Sequence, residues 1–132
     1  MMRILFPLLA IALSGCAASA ETHRGASDQD KLTAELAGLT PQKPVSCIDD
    51  YRSGSISAYG PTILYKIGRG LIYRSDTTGG CENIARGDIL VTHSISGGRL
   101  CQGDIAQTVD SSSHMMTGSC SFAAFTPYRK TP

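Results

Sequence analysis

Few residues of this chain are equipped for acid–base or nucleophilic chemistry: His93 and His114, Asp88 and Asp104, the acidic pair Asp49-Asp50, and the run Ser111-Ser112-Ser113. A serine–histidine–acid set is defined by geometry and not by chain order, so these residue types alone permit one. The Gly-x-Ser-x-Gly elbow that exposes a nucleophilic serine is absent. Serines beside His114 in a polar stretch read as a solvated loop. His93 shares a strand face with Ile89 and Val91, which suits a hydrogen-bonded rim or core histidine. Adjacent strand residues point to opposite faces, so Asp49 and Asp50 are poorly placed as an acid–base pair. Asp104 follows a glycine and suits a turn that accepts backbone N–H groups. Arg86-Gly87-Asp88 spells a cell-adhesion tripeptide and fits the same turn chemistry. His23, His93 and His114 lack metal-ligand spacing. We therefore expect no catalytic residues, no metal and no cofactor. The candidate binding surface is aromatic and basic: Tyr65, Lys66, Tyr73 and Arg74 lie on one hairpin and would suit a protein or glycan. The competing reading is cross-strand tyrosines packed on a sheet.

Cysteines carry the stronger signal. Met1-Met2-Arg3 opens an apolar run from Ile4 to Leu13 that ends in Leu13-Ser14-Gly15-Cys16. The run is shorter than the roughly 20 residues that span a bilayer, and Pro7 interrupts helical bonding. It has the form of a secretory signal peptide, which we place at residues 1–15. Leu-Ser-Gly-Cys resembles the lipobox of bacterial lipoproteins. That resemblance implies that Cys16 becomes the first mature residue and carries acyl chains. Ala17, in place of an aspartate, implies outer-membrane sorting with the domain facing the periplasm. The rival cleavage follows Ala18-Ser19-Ala20 and would release a soluble periplasmic chain starting at Glu21. The chain has 12 Lys and Arg against 11 Asp and Glu. Without Arg3 these balance, and no basic stripe marks a nucleic-acid partner.

Setting Cys16 aside leaves Cys47, Cys81, Cys101 and Cys120, an even number in a short exported chain. Zinc ligands usually come in close pairs, whereas these cysteines are widely spread. Two disulfides are the expectation, each contributing about 3–4 kcal/mol in the chain-entropy treatment. The favoured pairs are Cys81–Cys101, flanking one strand and its return, and Cys47–Cys120, joining the start of the domain to its last strand. Cys47–Cys81 with Cys101–Cys120 is the alternative.

The elements that position these residues fall into two parts. Residues 16–44 are small and polar and read as a lipidated tether. A short helix over residues 28–39, capped by Ser27 or Asp28, has Leu32, Leu36 and Leu39 at helical spacing. Those leucines dock on the domain or stay in the tether, and a spacer is the favoured reading. Thr40 to Pro44 reads as an extended linker. Residues 45–129 have short β-type runs punctuated by glycine, and residues 130–132 form a tail. The runs are Ser55–Tyr59, a hairpin of Ile63–Ile67 and Leu71–Arg74 around Gly68-Arg69-Gly70, Asp88–Ser94, the stretch through Leu100-Cys101, and a final strand over Ser119–Thr126. Gly87-Asp88-Ile89 and Gly103-Asp104-Ile105 open similar segments. The expected fold is mainly β: a small antiparallel barrel or sandwich of six or seven strands with two disulfides.

Cys47-Ile48, Gly80-Cys81, Leu100-Cys101-Gln102-Gly103-Asp104 and Cys120 followed by Phe122 and Phe125 occur in that order. The set resembles a family of small exported proteobacterial proteins, many of them lipoproteins, classed as a domain of unknown function. It covers residues 45–128, and Leu-Cys-x-Gly-Asp is its most specific piece. Family members commonly have Cys-Pro-x-Leu where this chain has Cys81-Glu82-Asn83-Ile84. The resemblance implies one disulfide-bearing domain and brings no catalytic residues. The expected function is a non-enzymatic binding or structural module of the cell envelope, held to the membrane by lipid on Cys16 and meeting an envelope protein or glycan. Two other readings are an inhibitor of a lysozyme-like hydrolase and a small hydrolase using a histidine with an aspartate.

Overall fold

The computed structural model describes residues 19–49 and 54–132, with side chains from residue 27 onward. The signal peptide, Cys16 and Asp50 lie outside the described residues. The alternating run around Tyr65 organises the molecule. β4 (Thr62–Ile67) and β5 (Leu71–Asp76) form the hairpin expected from Gly68-Arg69-Gly70. Both loop glycines take left-handed backbone angles, φ 58° and 88°, which a side chain would oppose. β3 (Ser55–Tyr59) pairs with β4, and β10 (Thr126–Arg129) pairs with β5. With β1 (Thr40–Pro41) they form a five-stranded antiparallel sheet in the order β1-β10-β5-β4-β3. A second, three-stranded antiparallel sheet has the order β6-β8-β9, from Ile89–His93, Ile105–Val109 and Met116–Ser121. β2 (Cys47–Ile48) and β7 (Leu100–Cys101) pair on their own. The fold is mainly β as expected. Seven strands have four residues or more, and β1, β2 and β7 are two-residue ladders.

Strand period sorts side chains to two covers. Ile63 and Tyr65 enter a core with Ile48, Leu100, Ala106, Cys120, Phe122 and Phe125, closed from the far side by the three-stranded sheet. Leu64 and Ile72 point the other way and receive Leu32, Leu36 and Leu39 from the chain around α1 (Ser19–Glu35).

This docking corrects two expectations. The helix does not begin at Ser27 or Asp28 but runs through them from Ser19. Leu32 is 2 % exposed, so residues 32–39 take the docked arrangement and are not a spacer. Glu35 joins it further, through an ion pair to Lys66 and the Tyr59 hydroxyl at 3.4 Å. Thr40 to Pro44 is likewise not a free linker. Thr40 pairs with Arg129 and Pro41 with Tyr128, and Gln42 N–H donates to the Pro127 carbonyl at 2.7 Å. A proline is tolerated there because β1 is an edge strand.

The last expected strand, Ser119–Thr126, is two strands with a crossing between them. Phe122 and Phe125 are three residues apart, and a continuous strand would send them to opposite faces. Both are buried with ring centroids 5.6 Å apart. The chain therefore leaves β9 and enters β10, bridging Thr77 at Phe122 and Val45 at Phe125.

The disulfides are Cys47–Cys101 and Cys81–Cys120, with Cα separations of 4.0 and 5.7 Å. This is neither the favoured pairing, Cys81–Cys101 with Cys47–Cys120, nor its alternative. The reason lies in strand register. Cys47 and Cys101 stand directly opposite each other in the β2–β7 ladder. Cys81 follows a segment that lies along β9, where Thr78 N–H donates to the Ser121 carbonyl at 3.1 Å. Gly80 and Gly118 permit this approach, because a Cβ on Gly80 would meet the Ser119 carbonyl and one on Gly118 would meet the Gly80 carbonyl. Cys81 then faces Cys120 in the core. Non-reducing peptide mapping should recover Cys47–Cys101 and Cys81–Cys120 alone. Alanine at both Cys81 and Cys120, which opens a link with a sequence separation of 39, should lower unfolding stability by about 4 kcal/mol in a urea titration.

Candidate functional site

The hairpin surface expected from Tyr65, Lys66, Tyr73 and Arg74 does not form. Tyr65 and Tyr73 are directly paired and face the core, Tyr65 fully buried and packed at 6.1 and 6.3 Å from the Phe122 and Phe125 rings. Lys66 and Arg74 alternate with them and emerge on the helix side of the sheet. Lys66 pairs with Glu35, and Arg74 meets Asp76 at 3.1 Å. Partial burial opposes the charge on Arg74, but Asp76 and Tyr128 outweigh it and raise its pKa above the ordinary value. The four residues are thus split by the period of two that placed them.

The candidate acid–base residues are dispersed too. β6 and β8 pair His93 with Ile105 and Ile89 with Val109, so His93 and the loop holding His114 lie at opposite ends of the small sheet. Four residues of strand separate those ends, about 13 Å. Asp88, at the His114 end, accepts the Thr117 hydroxyl. Asp104, at the His93 end, is buried and accepts Cys101 N–H at 2.8 Å, while its own N–H donates to the Cys101 carbonyl. This is the turn role read from Gly103-Asp104. Arg86-Gly87-Asp88 closes the 3-10 helix Glu82–Arg86: Arg86 bonds Asn83, and Gly87 takes the left-handed cap. Asp49 holds Arg99 at 2.7 Å. Among the described residues no three His, Cys, Asp or Glu side chains are grouped as a metal site. A cleft of about 330 Å³ lies beside α1, β3 and the 3-10 helix, lined by Asp28, Lys31, Ile56, Tyr59 and Ile84 among others. Neither histidine nor the serine run reaches it.

The serine run is ordered by one carboxylate. Asp110 accepts Ser113 N–H at 2.7 Å, the Ser113 hydroxyl at 2.9 Å and Ser112 N–H at 3.0 Å. His114 completes the turn at a left-handed φ of 57°, its N–H donating to the Asp110 carbonyl at 2.9 Å.

What distinguishes the surface is the outer face of the three-stranded sheet. Leu90, Ala106, Thr108 and Cys120 turn inward. Ile89 and Val91 on β6, Ile105 and Val109 on β8, and Met116 on β9 turn outward. Ile89 is 48 % exposed, Val91 37 %, Ile105 52 % and Met116 63 %. An antiparallel sheet with one solvated face normally alternates apolar inward and polar outward. Here the outer side is apolar at one end, where Ile89, Val109 and Met116 form a cross-strand row beside Val91, while Gln107 and Ser119 and then His93 and Ser121 around Ile105 occupy the rest. The signal was present in the sequence as Ile89-Leu90-Val91, an uninterrupted apolar run of the kind buried on both faces.

Compared with family models, curated proteins and solved structures, the chain shows no match.

The Asp110 carboxylate should titrate below its ordinary value of 3.8, because Ser113 N–H, the Ser113 hydroxyl and Ser112 N–H bond the charged form, with His114 adding attraction. A pKa depressed on folding stabilises the loop above the ordinary carboxylate range, and that support is lost as pH falls through the folded value. NMR titration of the Asp110 side chain checks the direction. Asp110→Ala should speed amide exchange at Ser112 and Ser113 and abolish the pH dependence there.

Proposed function

We propose that the protein is a cell-envelope lipoprotein, anchored by acyl chains on Cys16 in the outer membrane, whose β-domain serves as a non-enzymatic binding module facing the periplasm. The observation carrying the binding role is the outer face of β6, β8 and β9, where Ile89, Val109 and Met116 lie in one cross-strand row beside Val91, with Ile89, Val91 and Met116 exposed. Contiguous apolar surface of this kind marks interaction sites more often than scattered apolar residues do. The envelope location draws on the Leu13-Ser14-Gly15-Cys16 leader, the resemblance to small exported lipoproteins and the two disulfides, which suit an oxidising compartment. The dispersal of His93, His114, Asp88 and Asp104 favours binding over hydrolysis.

Two acyl attachments exceed the single chain that gives only reversible membrane binding. Mass spectrometry of the chain from its own membranes should show Cys16 as an acylated N-terminus, and Cys16→Ser should move the protein out of the membrane fraction. An unmodified chain beginning at Glu21 would refute the anchor. Val91→Asp should leave the fold intact and weaken co-purification of the bound component about tenfold. Unchanged recovery with that variant would refute the face as the binding site.

A further inference from the structure

β6 leaves one edge of the small sheet without a partner strand among the described residues, since the order is β6-β8-β9 and its ladder is with β8 alone. Among the described residues the outer strands of the five-stranded sheet and the far side of β9 are shortened or covered. β1 is two residues long and includes Pro41. β3 is packed by the 3-10 helix and α1. The outer side of β9 is covered by the segment ending at Cys81, through Thr78 and Gly80. Natural sheets blunt exposed edges with lysine, proline, bulges or short length. Ile89-Leu90-Val91-Thr92-His93 has none of these devices.

From this contrast we infer that β6 pairs antiparallel with β6 of a second copy of this chain, joining two three-stranded sheets into one of six strands. A two-fold axis at Val91 sets Val91 opposite its own counterpart, Leu90 opposite Thr92 and Ile89 opposite His93. It brings Asp88 beside Ser94, so no like charges meet across the axis. Such isologous pairing is the commonest symmetry of soluble oligomers. The outer faces of the two sheets become one surface that carries two copies of the Ile89, Val91, Val109 and Met116 patch, joined through Val91. A five-residue edge covers much less than the roughly 800 Å² per partner of a stable interface. Association is therefore weak for the free domain, and confinement of both copies to one membrane supplies the effective concentration. This last step rests on the lipid anchor proposed above, whereas the pairing itself does not.

A photo-reactive residue at Ile89, in two differently tagged full chains expressed together in intact cells, tests the pairing. The expected product is an adduct of twice the chain mass containing both tags. Val91→Lys and Val91→Glu each place like charges on the axis and should lower its yield about tenfold or more, with disulfides and melting temperature unchanged. Expressing one variant with the other should restore it. A doubled adduct indifferent to both variants overturns the β6 pairing. Adducts only to other envelope molecules overturn the second copy and leave the binding module standing, while absence of any adduct overturns both. A doubled adduct in chain that fractionates as soluble supports the pairing and overturns the anchor.

Discussion

β4 is buried on both faces, and the rest of the molecule is arranged by that constraint. Ile63 and Tyr65 point to one side of the sheet and Leu64 to the other, all of them essentially inaccessible to solvent. A sheet whose central strand is apolar on both sides needs two covers, since each fully buried side chain of this size contributes about 1.5–3 kcal/mol only when water is excluded. One cover is the Leu32, Leu36 and Leu39 stripe. The other is the three-stranded sheet, closed by Phe122 and Phe125. A domain of this length has few apolar segments, and both covers are used on the same sheet. The three-stranded sheet is itself covered on its inner side only.

The cysteines reinforce that arrangement. Cys81–Cys120 holds β9 to the segment before the 3-10 helix, within the core. Cys47–Cys101 clips the short β2–β7 ladder, too small to persist by hydrogen bonding alone, against the same core. Small exported domains commonly replace missing core with such links. Neither link touches the free edge of β6, which is left as the place where the sheet system can be extended.

The local elements were legible in the sequence because they follow from period and turn chemistry. The β4–β5 hairpin, β3 and β6 fall where alternation and glycine place them, and Asp104 closes its turn as its position after Gly103 suggests. What escaped were relations between distant segments. The disulfide partners depended on β2 lying against β7 and on Gly80 lying against Gly118, and neither contact has a local signature. Phe122 and Phe125 did have one: their spacing of three is incompatible with a single strand entering one core. The hairpin surface failed for a related reason, since Tyr65 and Lys66 are neighbours and neighbours on a strand cannot share a face. Ile89-Leu90-Val91 announced a strand apolar on both sides, but only the assembled fold shows which side remains uncovered.

β6 is thus an open edge that a strand of its own kind can complete. Hydrogen–deuterium exchange of the backbone amides of Ile89–His93, measured across a range of protein concentrations, addresses it most directly. Amides deep in the core, such as those of β4, exchange through global opening and are strongly protected already in the dilute monomer, gaining only the stability that association adds. Protection in β6 should rise from a low value with concentration in the native chain and stay low at every concentration in Val91→Lys. Equal protection of β6 at every concentration, with strong protection already present in the dilute monomer, would contradict it.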